Sequence, residues 1–262
     1  MRDILDLERY PLDRPGSVEW RRLVDRCSAE LAEHGMFNLA GLLRPGVAER
    51  AVQDIQPVMD MASHTHKRSH NIYFKPDMPG LYAGHPALQQ VETVSHTVCA
   101  DQIPGSVVLA IYGYAPLVQF LAATMGKREL HPMQDPLARV NVMAYRTGET
   151  LNWHFDRSEF TTTLLLQEPE AGGEFEYRSE LRADDDPNYE GVARLLEGRD
   201  PKVKRLRLAA GNLNVFRGKN TAHRVTCVQG SRERMIAVFS YYEKSGVVFS
   251  EEERLGFYGR AA

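Results

Sequence analysis

Apolar side chains recur at helical spacing between Ser17 and His34, at Val18, Leu23, Val24, Cys27 and Leu31, and predict an amphipathic helix. Ser17 is placed to cap its start and Gly35 to stop its end. Met36 to Leu43 reads as a short strand. Pro45 opens a second helix running to about Ala62, proline being suited to the first helical position. From Ser63 to Gln90 no period survives. His64, His66, His70 and His85 fall there among Pro76, Pro79, Gly80 and Gly84, which predicts a long irregular segment of the kind that often serves function. A helix resumes between about Ser106 and Met125, with Leu117, Val118, Phe120 and Leu121 as its buried centre.

Past Pro136 the pattern changes to strands. Arg139 to Arg146, Leu151 to Asp156, Phe160 to Gln167, Gly173 to Tyr177, Val203 to Leu208, Asn212 to Phe216, His223 to Val228 and Arg234 to Tyr242 are candidates. An acidic insertion from Ser179 to Arg199 interrupts them and carries a short helix near Asn188 to Leu196. Short strands in succession, without helices alternating between them, argue against a doubly wound parallel sheet. The expected architecture is α+β, mainly β, in one domain over 1–262. A helical layer and an active-site loop fill 1–135, an antiparallel barrel 136–245 and a C-terminal tail 246–262.

Composition narrows the partners. Of 262 residues, 43% are hydrophobic and 26% charged, ordinary for a globular chain that can bury a core unaided. Basic and acidic residues number 32 and 35, a net charge of -3, so no nucleic-acid partner is expected. Cys27, Cys99 and Cys227 are scattered and odd in number, which fits a reducing cytoplasm rather than a disulfide framework. No stretch approaches the apolar length of a membrane span, and the first residues lack a leader's apolar run, so neither anchor nor leader is expected.

Candidate chemistry sits on three of the strands. In Trp153-His154-Phe155-Asp156, strand alternation turns His154 and Asp156 to one side and Phe155 to the other. An imidazole and a carboxylate so placed can share a metal, and His223 in Thr221-Ala222-His223-Arg224 supplies a third donor. Two histidines and a carboxylate on one face of an octahedral ion leave three positions open, which suits non-haem Fe(II) and oxygen. The His-x-acid pair alone is weak. With nine histidines and 35 acidic residues, chance supplies about one, and a single inward histidine is more often a hydrogen-bonded core residue. The second histidine and a following arginine sharpen the pattern. Arg232 or Arg234, at the start of the next strand, could grip a carboxylate bidentately; either could instead guard a strand edge.

The stretch Tyr145-Arg-Thr-Gly-Glu-Thr-Leu-Asn-Trp-His154-Phe-Asp156, with Thr161 to Gln167, Gly172 to Tyr177 and His223 to Thr226, resembles the iron(II)/2-oxoglutarate-dependent oxygenases. Within them it is similar to the free-amino-acid radical halogenases and their hydroxylase relatives. His70-Asn-Ile-Tyr-Phe74 and Ala100-Asp-Gln-Ile-Pro104 extend the resemblance upstream. It implies a double-stranded β-helix (jelly-roll) barrel. It also implies Fe(II) held by His154, Asp156 and His223, and 2-oxoglutarate held by Arg234, with Arg232 as second choice. O2 is the other cosubstrate. Halogenases of this type carry glycine or alanine where this chain has Asp156, leaving room for chloride. A carboxylate there implies hydroxylation of an unactivated C–H, with release of succinate and CO2.

The expected partner is a small polar, amino-acid-like metabolite in a cytoplasmic enzyme, with a homodimer left open. Arg157, Asn152, Arg146, Asn141 and His70 are candidates to touch it, each weighed against a solvated or structural side chain. The lysine-acting relatives hold the amine with acidic residues; Arg157 beside Asp156 makes lysine a poor fit. His64-Thr-His-Lys-Arg-Ser-His70 lacks the spacing of a zinc site. It reads as a lid or pocket-lining loop whose basic charge favours an anion. Trp153, facing away from His154, reads as core. Asp184-Asp185-Asp186 lacks the glycine and glutamate of a calcium loop and reads as a solvated turn. Two other readings stand beside the hydroxylase of a free metabolite: a non-catalytic barrel that binds or senses a ligand, and a peptide or protein hydroxylase.

Overall fold

Ser17 accepts the amide of Trp20 and Gly35 turns left-handed at φ 74°, so the first helix, α1 (Val18–His34), has the bounds its sequence predicts. The structure, a computed structural model, describes residues 1–76 and 78–262; Asp77, inside the segment predicted irregular, lies outside the described residues. After α1 come β1 (Met36–Leu39), α2 (Val47–Ala62), β2 (His64–His70), β3 (Val91–Cys99), α3 (Val107–Tyr112), α4 (Ala115–Thr124), β4 (His131–Pro132) and β5 (Val140–Tyr145). Then follow β6 (Leu151–His154), β7 (Thr161–Gln167), β8 (Ala171–Gly172), β9 (Phe175–Arg178), α5 (Tyr189–Leu196), β10 (Lys204–Leu206) and β11 (Leu213–Phe216). The chain ends with β12 (Ala222–Val225), β13 (Val228–Gln229), β14 (Arg234–Phe239), β15 (Tyr241–Tyr242) and α6 (Glu251–Tyr258).

Several expectations change. The segment after Ser63 is not irregular from its start: β2 pairs antiparallel with β3 from His64↔Thr97 to His70↔Val91. Its residues are polar on both faces, so no apolar alternation marks it, and pairing with β3 supplies the order. The predicted helix from Ser106 to Met125 is two helices. The chain turns at Gly113, and α4 begins with Pro116 in its first turn, where proline's missing amide costs nothing. β1 stops at Leu39 rather than Leu43, because Leu43 bridges to Leu5 instead. The stretch read as a tail holds α6, capped by Ser250 and Glu253 in a reciprocal capping box.

Strand pairing builds one seven-stranded antiparallel sheet in the order β1-β11-β7-β14-β5-β3-β2 and one four-stranded sheet in the order β10-β9-β12-β6. Alternation sorts the large sheet's side chains by face. Val140, Val142, Ala144, Leu164, Leu213, Val215, Met235 and Ala237 join Leu31, Ile55, Met59 and Phe120 of the helices in one core. The alternate residues Tyr145, Leu165, Phe216 and Ile236 meet Phe175, Tyr177 and Val225 of the small sheet in another. Full burial of a Leu, Ile or Phe is worth about 1.5–3 kcal/mol, so both faces hold the large sheet in register. A third cluster, with Ile72, Tyr73, Phe155, Leu181 and Val192, docks the segment after β2 and helix α5 onto the outside of β6. No helix among the described residues is long and apolar enough to cross a membrane.

Candidate metal centre

His154 ends β6 and His223 lies in β12, and the two are partners across that antiparallel pair. Their ring centroids stand 4.1 Å apart at 56°. Asp156 leaves the strand as its amide donates to the Gly218 carbonyl at 3.0 Å. Its Oδ1 comes within 3.4 Å of His154 Nε2 and its Oδ2 within 3.5 Å of His223 Nε2. One donor atom from each of the three lies within 4.8 Å of the others. Gly218 makes this approach possible, since a Cβ there would stand 2.3 Å from Asp156 Oδ2 and 2.7 Å from Thr161 Oγ1.

The hydrogen bonds around the triad prepare it for a cation. His154 Nδ1 lies 2.8 Å from the Asn152 carbonyl and His223 Nδ1 lies 2.9 Å from the Thr221 carbonyl. A carbonyl only accepts, so each Nδ1 carries the proton and each Nε2 keeps its lone pair for a shared ion. Thr161 Oγ1 donates to Asp156 Oδ2 at 2.5 Å and orients the carboxylate. Burial lowers the His154 pKa, and His223 beside it adds to the effect. Burial pushes the Asp156 carboxyl up, but without a metal the two imidazoles, when protonated at Nε2, outweigh it and hold it well below the usual range. Neutral imidazole and ionised carboxylate are the forms a divalent metal binds. Phe216 meets the His223 ring edge-on at 4.7 Å and Phe74 meets His154 edge-on at 5.8 Å.

A second feature faces the same interior. Arg234 opens β14, is 2% exposed and pairs in register with Tyr145 of β5. Burial lowers its pKa to about 10, with only the Tyr145 hydroxyl acting against that. Tyr145 is equally buried, and its hydroxyl has no hydrogen-bond partner. Burial pushes that hydroxyl up to about 12, while Arg234 pulls it down and Asp156 pushes it up, so it stands within electrostatic reach of both. A buried polar group left unpaired costs about 1–3 kcal/mol, so arginine and hydroxyl together call for an anion. Sequence reasoning assigned Tyr145 no role. It stood in the quoted motif, but only the register of β5 against β14 sets it beside Arg234. A cavity of about 170 Å³ also touches Arg234 from the side of Glu168, Glu170, Glu174 and Arg207; none of the triad lines it.

The other candidates are placed as follows. Arg232 is exposed, with Nη2 3.5 Å from the Pro169 carbonyl. Arg157 has a side chain 72% exposed and pairs with Glu253 of α6 at 3.0 Å. Arg146 pairs with Glu233 at 3.4 Å, and Glu233 accepts from Gln56 of α2 at 2.8 Å. Tyr145 takes the inward position, so Arg146 next to it turns to the helical layer. Asn152 shares the face of His154, its Nδ2 donating to the Glu92 carbonyl at 2.7 Å. His70 is buried, stacked on Phe74 at 4.3 Å and bonded to Thr93 Oγ1 at 2.9 Å. Asn141 accepts from the Tyr258 hydroxyl at 2.9 Å. Trp153 faces away from the triad, beneath the Arg224 guanidinium at 4.9 Å.

The family model described as Halogenase D matches residues 19–248. No curated protein matches the sequence. An oxidoreductase of the 2OG-Fe(II) oxygenase family from Burkholderia pseudomallei is similar with a TM-score of 0.50 at 16% identity, over 89% of this chain and 94% of that one. The epimerase SnoN, in complex with Fe3+, alpha ketoglutarate and nogalamycin RO, gives 0.57 at 14% identity over 84% of each chain. A prolyl hydroxylase in complex with a hypoxia inducible factor peptide fragment, from Trichoplax adhaerens, gives 0.54 at 11% identity over 84% of this chain and 90% of that one. At such identities the likeness is one of fold. The match across 19–248 reaches further, and with it the chain belongs to the halogenase D family, on the fold of the 2-oxoglutarate/Fe(II) oxygenases.

Proposed function

We propose that this chain is an Fe(II)- and 2-oxoglutarate-dependent dioxygenase that hydroxylates an unactivated C–H of a small, amino-acid-like metabolite, releasing succinate and CO2. One observation carries the reading: two imidazole Nε2 atoms and one carboxylate converge within 4.8 Å, with both Nδ1 atoms tied to carbonyls. The same donor set fits a ferrous ion with open positions. Bound there, iron and 2-oxoglutarate supply the activation of dioxygen. His154, Asp156 and His223 hold the ion, and Thr161 keeps Asp156 oriented. Arg234 neutralises the distal carboxylate of 2-oxoglutarate, and Tyr145 donates its otherwise unpaired hydroxyl to the same cosubstrate. Three glutamates line the cavity that Arg234 also lines and repel a dicarboxylate from it. Phe74 and Phe216 shield the ligand imidazoles from water.

Asp156 decides between the two chemistries of the family. A carboxylate at that position occupies the coordination site that a smaller residue leaves to halide, so the outcome is hydroxylation. The strands of the two sheets that fall within 136–245 supply the two halves of a double-stranded β-helix, inside a single domain over 1–262 acting in the cytoplasm. Anaerobic addition of Fe(II) and 2-oxoglutarate tests the centre: a weak metal-to-ligand absorption in the visible is expected. Its absence from folded, metal-loaded protein refutes the reading. A screen of free amino acids, scored by succinate release and a mass gain of one oxygen, then identifies the substrate; a chlorinated product would overturn the assignment to hydroxylation.

A further inference from the structure

The large sheet carries a second cluster of hydroxyl, imidazole and carboxylate, on the face turned away from the metal ligands. Thr65 of β2 and His96 of β3 are register partners, and His96 pairs in turn with Ala144 of β5. Ala144 belongs to the core shared with the helices, whereas Tyr145 beside it meets the small sheet. Strand alternation therefore puts Thr65 and His96 behind the metal centre. His96 Nδ1 lies 2.9 Å from Thr65 Oγ1, and His96 Nε2 lies 2.9 Å from Glu149 Oε1. His96 is 6% exposed and Glu149 is largely covered, while Thr65 is open to solvent.

Glu149 is fixed behind the ring. Its Oε2 accepts the Arg146 amide at 2.7 Å. Its carbonyl accepts the Val228 amide, and the Gly148 amide donates back to the Val228 carbonyl, each at 2.9 Å. An ionised carboxylate only accepts, so in the neutral ring Nε2 carries the proton and Nδ1 presents its lone pair to the Thr65 hydroxyl. This order of parts activates a hydroxyl nucleophile. A nitrogen stands ready to take its proton, and a carboxylate on the far side of the ring steadies the charge the ring then acquires. β2 is also the outermost strand of its sheet. Amides along such a strand point alternately to the neighbouring strand and to the free edge. One of the successive amides of Thr65 and His66 therefore faces outward, where it can donate to a carbonyl oxygen gathering negative charge.

We propose that Thr65, His96 and Glu149 form a second reactive centre, independent of iron, that takes an acyl group from a small activated ester or thioester. Thr65 Oγ attacks the acyl carbonyl as its proton passes to His96 Nδ1. The bond from that carbonyl to the leaving oxygen or sulfur breaks, and the leaving group takes the proton. Thr65 is left as an ester, with no change of oxidation state. Water, deprotonated by the same nitrogen, then releases the carboxylic acid and restores the hydroxyl. Glu149 acts through the ring, as a positioning residue. The test treats the full-length protein with p-nitrophenyl acetate, with and without a chelator. Nitrophenolate release is followed in the visible, and the acetyl group is located by peptide mass spectrometry. The acetyl is expected on Thr65, with release about a hundredfold faster than in Thr65→Val and unchanged by the chelator. Thr65→Ser should keep the reaction and His96→Gln should lose it. Glu149→Gln should slow acylation about tenfold or more with the acetyl still on Thr65, a split that a merely structural loss would not give. Thr65 is exposed, so Thr65→Val keeps the fold and decides the matter even if His96→Gln does not fold. Equal release by wild type and Thr65→Val overturns the centre, as does acetyl found only on amines such as Lys67; the hydrogen bonds then do no more than satisfy a buried ring. Release abolished by the chelator places the reaction at the metal and overturns it equally. No iron ligand takes part, so failure here leaves the oxygenase reading standing.

Discussion

Replacing Arg234 with methionine should raise stability and abolish cosubstrate binding at once. Arg234 is 2% exposed and forms no ion pair with a carboxylate among the described residues. A pKa lowered by burial to about 10 sets the cost of holding it charged, with no anion beside it, at roughly 3 kcal/mol. Methionine keeps most of the stem's volume and removes the charge. Allowing for imperfect repacking, Arg234→Met is expected to gain about 1–2 kcal/mol, a rise of roughly 3–6 °C in Tm for a chain of this size. Binding runs the other way. Losing a bidentate, charge-assisted pair should weaken 2-oxoglutarate by about a hundredfold. Thermal unfolding followed by circular dichroism, with and without Mn(II) and 2-oxoglutarate, reads both effects. Wild type should rise in Tm on addition of the pair, and the variant should start higher and respond only to the metal. A variant less stable than wild type without cosubstrate, or one that keeps the 2-oxoglutarate-dependent rise, would refute the account of Arg234.

The remaining predictions concern the triad, its neighbours and a remote carboxylate. Asp156→Gly should lose hydroxylation and admit chloride, seen as a chlorinated product when halide is supplied; unchanged hydroxylation would show that Asp156 is not a ligand. Gly218→Ala places a Cβ 2.3 Å from Asp156 Oδ2; it should displace the carboxylate and lower metal affinity by about 10–100-fold, measured by calorimetric titration with Co(II). Arg232→Ala should leave the 2-oxoglutarate requirement unchanged, and a rise would move the anchor there. Asp135 is fully buried and accepts from the amides of Leu137, Ala138 and Phe249 and from Arg254 Nε. Burial pushes its carboxyl up, but these donors prevail and hold it below the usual range. The unfolded chain therefore binds the proton first as pH falls, and the stabilisation is complete above about pH 4 and lost below it. Asp135→Asn should cost about 2–4 kcal/mol at pH 7 and progressively less toward pH 2 in urea unfolding; an equal loss at both ends would contradict that origin.

The candidate site was legible wherever its geometry is local. His154 and Asp156 share a face because of two-residue alternation, and the surrounding motif reinforced them. Alternation could not separate Arg232 from Arg234, which have the same parity. The start of β14 does so, leaving Arg232 in the exposed turn and Arg234 inside. His64 to His70 misled for the opposite reason. A strand whose two faces are both polar leaves no hydrophobic period, and its pairing with β3 is visible only in three dimensions. Helix α6 was within reach, since Ser250 and Glu253 have capping-box spacing, but nothing local says that Phe257 and Tyr258 cover the inner wall.

The α+β character, the succession of strands past Pro136 and the candidate donors His154, Asp156 and His223 belong to the sequence alone, because each depends on residues close along the chain. The tertiary structure alone decided that His154 and His223 are cross-strand partners, that Tyr145 stands beside Arg234, and that the exposed Arg68 lies over the Phe74 ring. Those placements follow from strand register. Register is set by burying both faces of the large sheet at once, against helices on one side and the small sheet on the other, a condition on the whole chain that no short window contains.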